Sequence, residues 1–173
     1  MKKADLILIG KVQRSQGNRG QVKLRLLERE LPELSCTDVY LAKAGELEAF
    51  TAESLEIDRH SVFLKLKGID TLAQADALVG REVMVPENSF PALPDGRYYD
   101  FQLIGCRVVT GTGMDVGTVE GLMPAGDETV LIVKRREREL FIPLTETICR
   151  RIDPEKKEIV IEPPDGLLEL NEI

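Results

Sequence analysis

The sequence predicts a mainly β protein of two small β-barrel domains, joined by a linker that contains proline and glycine, with one short helix in the first domain. Three observations lead to this fold class. Short runs with apolar residues at every second position recur along the chain. Turn residues separate these runs at short intervals, as in small barrels and sandwiches. One segment without periodicity, ENSFPALPDG, lies near the middle of the 173 residues.

The first half of the chain begins with a predicted hairpin. Its two strands, DLILIGKVQRSQ and QVKLRLLE, flank GNRG, whose glycines suit a tight turn. In the second strand Val22, Leu24 and Leu26 alternate with basic residues, so one face is apolar and the other is charged. Further strands are predicted in DVYLA, LEAFTAESLEI, SVFLKLKG and REVMVP.

A short helix is expected before the last of these strands. In TLAQADALVG, Thr71 and Gln74 have the spacing of a capping box, and Gly80 can supply a left-handed stop. The sequence therefore predicts a helix over residues 72–79.

A second set of short strands follows the aperiodic segment. These strands are predicted in CRVVT, DVGTVEGLM, TVLIVKR, RELFIPL, ICRRID and EIVIE. Turns are expected between several of them, in GTGM, PAGDE and DPEKK. The resulting boundaries are 1–88 for the first domain, 89–97 for the linker and 98–173 for the second domain.

Composition predicts a globular protein of the cytoplasm. Hydrophobic residues make up 43% of the chain, which is typical of folded domains. No apolar run approaches the ~20 residues that span a membrane. The opening MKKADLILIGKV is interpreted as a first strand, because its apolar run is too short for a signal peptide. We therefore expect a cytoplasmic protein without a membrane partner.

Residues suited to catalysis or metal binding are scarce. His60 is the only histidine, and Cys36, Cys106 and Cys149 are far apart. A hydrolytic triad or a zinc site therefore lacks its parts. The glycines of GTGMDVG fail the spacing of phosphate-binding loops and are expected in a turn. We expect no catalytic residue, no metal and no cofactor, and we interpret the cysteines as small buried hydrophobic residues.

Charge is distributed unevenly along the chain. Residues 1–25 hold seven lysines and arginines against one acid, whereas residues 26–90 and 91–173 have net charges of −7 and −6. The acidic second half suits a basic protein partner. The basic first segment suits phosphate, although its charges also simply favour solubility. The candidates for phosphate contacts are Lys11, Arg14, Arg19 and Lys23.

Two of the three tyrosines are adjacent, in GRYYDFQLIGCRVV. Neighbours in an extended chain face opposite sides, so only one of Tyr98 and Tyr99 can face the local core. The other is exposed or covers another domain or molecule. Tyrosine suits interfaces, since it combines a large apolar area with a hydroxyl that tolerates water. Packing between the domains and binding of a partner both remain open, and the two roles are compatible.

A series of motifs resembles the RimM family of bacterial ribosome maturation factors. IGKVQRSQGNRGQVKL is similar to the family's opening, and KLKGIDTLAQADALVGREVMVP to the end of its first domain. GRYYDFQLIGCRVV resembles the entry to its second domain, a PRC-barrel. GTVEGLM, GDETVLIV, LFIPL and EPPDGLLEL resemble the remaining barrel motifs, so the resemblance runs nearly end to end.

The chain departs from the family's pattern at three polar positions. The family usually has His before the first turn glycine and Glu after the second, and this chain has Gln16 and Gln21 there. Gln102 stands where the family more often has Asp.

The resemblance implies an assembly factor and not an enzyme. Such proteins bind the immature small ribosomal subunit near its head, together with its basic ribosomal protein nineteen, and assist head maturation and rRNA processing. We then expect a monomer, with Tyr98 and Tyr99 at the partner-binding surface and the four basic residues at the rRNA. The alternative is a PRC-barrel adaptor protein without a ribosomal role, because a fold does not fix a function.

Overall fold

The computed structural model of the chain describes residues 6–27, 31–35, 37–58 and 61–170. It divides into two compact units, Met1–Ala92 and Leu93–Ile173. The point of division lies in the segment 89–97, whose role as a linker stays a prediction.

The first unit is a closed β-barrel, as the sequence predicts. Its strands are β1 (Leu6–Gln16), β2 (Gln21–Leu26), β3 (Asp38–Lys43), β4 (Glu46–Asp58), β5 (Ser61–Leu66) and β6 (Glu82–Pro86). They follow the order β1-β2-β5-β4-β3-β6 around the barrel, and each pair of neighbours is antiparallel. The predicted hairpin of β1 and β2 is confirmed, with Gln16 opposite Gln21.

Two long strands allow the barrel to close. Strand β1 pairs with β6 through its first half and with β2 through its second, and β4 is shared in the same way between β3 and β5. Register shifts in both strands mark the places where they bend. Gly10 lies at a second register shift of β1, in its pairing with β6, and a Cβ there would overlap the carbonyl oxygen of Arg25. The absence of a side chain there lets the two strands approach closely.

The core of the first unit comes from alternate residues of its strands. Val22 and Leu24 are buried and Leu26 packs against the same cluster, so the predicted apolar face of β2 is confirmed. In β5, Val62, Leu64 and Leu66 are buried while the residues between them are half-buried on the outer surface.

The helix of the first unit is shorter than predicted. The capping box of Thr71 and Gln74 is present, but α1 covers only Leu72–Asp76 and not residues 72–79. The chain then turns, because Leu78 is buried in the barrel core and the Gly80 N–H donates to the Val12 carbonyl. Gly80 adopts the left-handed backbone predicted for it, with φ of +83°.

The second unit is built around a six-stranded sheet. Its strands are β7 (Arg107–Thr110), β8 (Asp115–Ala125), β9 (Glu128–Arg135), β10 (Arg138–Pro143), β11 (Cys149–Asp153) and β12 (Glu158–Ile161). The order in the sheet is β10-β9-β8-β7-β12-β11. Antiparallel pairing prevails, but β7 and β12 run parallel. Every strand predicted from the sequence is therefore present, and the mainly β fold class is confirmed.

The apolar residues of this sheet gather into a second core. Its largest fully buried members are Leu103, Leu131, Ile142, Ile159 and Ile161. Cys106 and Cys149 are free thiols buried in the same cluster, which confirms the interpretation of these two cysteines. Cys36 and His60 lie outside the described residues.

Three short helical segments were not predicted. A 3-10 turn covers Glu87–Ser89, where the sequence suggests an aperiodic linker, and Ser89 is buried. Helix α2 (Asp100–Leu103) follows directly after the two tyrosines, in a stretch for which no element was predicted. Helix α3 (Leu167–Leu170) follows β12, and Leu168 packs against the second core.

Candidate binding surfaces

The first candidate surface is the outer face of the β1–β2 hairpin, which we call the basic ladder. Its members are Lys11, Arg14, Arg19, Lys23 and Arg25. Lys11 lies directly opposite Arg25, and Arg14 directly opposite Lys23. Arg19 is exposed in the turn between the two strands. The structure thus brings the four predicted cations onto one hairpin.

Few carboxylates neutralise the basic ladder. Lys11 Nζ lies 3.3 Å from the carboxylate of Glu82 on β6. Lys23 Nζ lies 5.9 Å from the centre of the Phe63 ring, within reach of a cation–π interaction. Within the described parts of the chain, Arg14, Arg19 and Arg25 make no ion pair. Three guanidinium groups therefore remain available to an external anion.

Like charges that face each other across two strands destabilise a sheet. The ladder contains two such pairs in succession, Lys11–Arg25 and Arg14–Lys23. Arg25 was not among the residues selected from the sequence. Its alternation with Leu24 and Leu26 was the available signal, but the facing of Arg25 and Lys11 follows only from the register.

The turn of the hairpin is held rigidly against the barrel. Gly17 and Gly20 have φ of +66° and +75°, the left-handed region that favours glycine. A Cβ on Gly20 would overlap the carbonyl oxygen of Ile69, so the turn packs directly on the chain before α1. Position and shape of the turn are therefore fixed before any ligand arrives.

Lys65 stabilises the segment before α1 on which the turn packs. Its Nζ donates to the carbonyl oxygens of Leu66 and Ile69 at 2.9 and 2.7 Å, and lies 3.0 Å from Asp70 Oδ1. Glu53 is a second carboxylate partner, at 3.4 Å. Burial alone would lower the pKa of Lys65, but the hydrogen bonds and charges of the two carboxylates raise it overall. Lys65 is thus a neutralised structural cation and not a free one.

The second candidate surface is the segment 98–105 at the start of the second unit. Tyr98 packs against the second core, and both tyrosines are half-buried. The ring of Tyr99 stacks on that of Phe101, with 5.3 Å between the ring centres and an angle of 8° between the planes. The structure therefore brings the two predicted tyrosines together with a third aromatic residue, Phe101, which the sequence analysis did not select.

Polar contacts hold this aromatic segment on the sheet. Gln102 Oε1 accepts from the Tyr99 N–H at 2.8 Å, at the start of α2. At its other end, Lys157 Nζ donates to the carbonyl oxygens of Phe101, Gln102 and Ile104 at 3.2, 3.0 and 3.3 Å. The Gly105 N–H then donates to the Val119 carbonyl in β8 at 2.8 Å. A lysine from the turn before β12 thus caps the helix that follows the tyrosines.

The described residues of the two surfaces hold no cluster of metal-ligating side chains. In the part of the chain that the structure covers, no three His, Cys, Asp or Glu side chains are grouped as metal ligands. Among those same residues, no helix has the length and hydropathy needed to cross a bilayer.

Comparison with known families agrees with the two-unit architecture. The model described as the RimM N-terminal domain matches residues 7–90, and the model described as the RimM PRC barrel domain matches residues 100–167. The fold is thus that of a two-domain protein with a PRC barrel as its second domain. The chain belongs to the RimM family.

Two relatives match over nearly the whole chain, and a solved structure matches over about half of it. A protein called ribosome maturation factor RimM from Geobacter metallireducens is 35% identical, covering 96% of this chain and 97% of the relative. Another of the same name from Geotalea uraniireducens is 30% identical over the same shares. The solution structure of the N-terminal domain of RimM from Thermus thermophilus matches with 25% identity and a TM-score of 0.43, covering 51% of this chain and 98% of that one.

Proposed function

We propose that this RimM-family protein is a ribosome maturation factor that acts by binding and not by catalysis. It binds the immature small ribosomal subunit and its ribosomal protein nineteen in the cytoplasm, as a monomer, and assists head maturation and rRNA processing. The observation that carries this proposal is the match of both RimM domain models, together with relatives at 35% and 30% identity that align over 96% of the chain.

The first domain supplies the rRNA contact through the basic ladder. Phosphates bound between its two strands relieve the repulsion of the cations that face each other. The guanidinium groups that have no ion pair form charge-assisted hydrogen bonds with phosphate oxygens. Each phosphate neutralised releases a condensed counterion, so binding weakens as salt rises. Arg25 joins Lys11, Arg14, Arg19 and Lys23 in this role.

The second domain supplies the protein contact. Residues 91–173 have a net charge of −6, which favours association with a basic ribosomal protein. Tyr98 and Tyr99 begin this domain, and the stacked rings of Tyr99 and Phe101 form an aromatic area of the kind enriched at protein interfaces. The contacts of Gln102 and Lys157 hold that area in place, which reduces the entropy lost on binding.

Binding alone is enough for such a factor to assist assembly. A ligand shifts an equilibrium between two states only by the difference in its affinities for them. A protein that contacts rRNA and a ribosomal protein together favours the arrangement in which both are correctly placed. It leaves once the mature arrangement no longer presents both contacts in that geometry.

The test is co-sedimentation of the full chain with small-subunit precursors. Wild-type protein should sediment with precursors more strongly than with mature subunits. The double variant Tyr98→Ala/Tyr99→Ala should bind about 30-fold more weakly, which corresponds to a hot spot of ~2 kcal/mol. The matched control, Tyr98→Phe/Tyr99→Phe, keeps the rings and the packing of the core. Folding of each variant is checked by circular dichroism.

Two outcomes would count against the proposal at different levels. Full affinity in a correctly folded double alanine variant would remove the tyrosines from the binding surface. No sedimentation of the wild-type chain with any small-subunit particle would reject the ribosomal role and favour an adaptor protein.

A further inference from the structure

A polar groove lies beside the basic ladder on the outer surface of the first domain. It has a volume of about 470 Å³. The side chains that give it its chemistry are Gln16, Asn18, Arg19, Gln21, Ser54 and Glu56. Lys65 also lines it, but its ammonium group is engaged by Asp70, Glu53 and two backbone carbonyls.

The register places the groove in line with the ladder. Gln16 lies opposite Gln21, Gln21 opposite Lys65, and Lys65 opposite Ser54, so four neighbouring strands contribute one row. The next row along these strands contains Arg14 and Lys23. Two residues separate the rows on each strand, which is about 7 Å. Phe63 and Glu56 complete that second row on the other two strands. Two cations on β1 and β2 therefore lie beside a row of mostly neutral hydrogen-bonding groups.

The chemistry of the groove suits a nucleobase better than a phosphate. Three carboxamides each present both donors and an acceptor. The carboxylate of Glu56 repels phosphate but accepts from an exocyclic amine. Arg19 is the one cation of the lining without an ion pair in the described residues. Phosphate belongs on the neighbouring cations, and a base on the carboxamides.

We propose that this groove holds one unpaired adenine of the RNA bound by the basic ladder. A side-chain carboxamide pairs in bidentate fashion with the N6 amine and N7 of adenine. Sequence-specific recognition of RNA is directed mainly at unpaired bases, whose edges are accessible. The turn is already fixed by Gly17, Gly20 and Ile69, so the groove is formed before the base enters. This inference rests on the proposed function and adds a base preference to it.

The experiment compares two RNA probes that differ by one base. Fluorescence anisotropy at low salt measures the binding of the full chain to a short oligouridylate and to the same oligonucleotide with one central adenosine. The wild-type protein should bind the adenosine probe about tenfold more tightly. Gln21→Ala and Asn18→Ala should remove that difference while leaving the affinity for oligouridylate unchanged. The matched control is Gln13→Ala, an exposed glutamine of β1 outside the groove, which should keep the preference.

Other outcomes separate the groove from the ladder. Arg14→Gln should weaken both probes equally, because phosphate contacts carry no base preference. Equal affinity of the wild-type chain for both probes, or equal loss on both probes in Gln21→Ala, would overturn the adenine site. Either result would leave the ribosomal role standing if the same protein still sediments with small-subunit precursors. Failure in both assays would reject the proposed function as well.

Discussion

Removal of the Lys157 ammonium group should loosen the segment that carries the two tyrosines. Lys157 Nζ donates to three carbonyl oxygens at the end of α2, where no further helical turn follows. One of them, the Gln102 carbonyl, also accepts from the Cys106 thiol at 3.3 Å. The positive charge also lies at the favourable end of the helix dipole. Lys157→Met keeps the length of the side chain and removes both effects.

The free energy needed to open this segment locally should fall by about 1 kcal/mol in Lys157→Met. A hydrogen bond to a charged group contributes about 1.5–3 kcal/mol where water is excluded. Lys157 is exposed, so water replaces much of the interaction and the three bonds together are worth less than their sum. Its backbone has φ of +53°, and methionine has the same strain there as lysine, so strain cancels in the comparison. A loss of this size raises local opening about fivefold.

Hydrogen exchange measured by mass spectrometry can detect this opening. The amides of Ile104, Gly105 and Cys106 donate within the segment or to β8, and their exchange should be about fivefold faster in Lys157→Met. The control is Lys156→Met, whose lysine pairs with Asp153 and has no hydrogen bond or ion pair with the described residues of α2. Equal exchange of these amides in both variants would refute the idea that Lys157 holds the segment.

Three further predictions concern the core, the ladder and the turn. In a chain carrying Cys36→Ser, the thiols of Cys106 and Cys149 should resist alkylation at neutral pH until the protein is unfolded. Burial raises the pKa of both thiols, that of Cys149 to about 11, so few thiolates are present to react. Rapid alkylation of the native chain would contradict this. Arg25→Gln should stabilise the fold by a few tenths of a kcal/mol in urea titrations. It should also reduce the slope of log affinity for RNA against log salt concentration by about one. An unchanged slope would show that Arg25 does not contact RNA. Gly20→Ala should cost more than ~1 kcal/mol of stability, since it adds strain and overlap, and a wild-type urea midpoint would show that the turn is not tightly packed.

Local patterns were sufficient to predict the strands. Alternation of apolar and polar residues marks which side of a strand is buried, and glycine-containing turns mark where it ends. Both signals lie within a few residues of the element they describe. The hairpin at Gly17 and Gly20 and the capping box of Thr71 and Gln74 were predicted for this reason.

Features that depend on distant residues were not predictable in this way. Helix α2 is only four residues long, and its end is capped by Lys157, more than 50 residues away in the chain. The end of α1 is set by the burial of Leu78 in a core that the strands create. The facing of Lys11 and Arg25 needs the register of two strands, so Arg25 was missed as a candidate site residue.

The parallel pairing of β7 and β12 also has a consequence for the synthesis of the protein. These are the first and the last strands of the second sheet in chain order, and they are neighbours in it. The nascent sheet therefore keeps an unpaired edge on β7 until β12 has left the ribosome. Domains generally fold as units during synthesis, and contacts between distant residues form slowly. The second sheet can thus be completed only after its last strand has been made, whereas in a meander of the same size every strand can pair with its predecessor as it emerges.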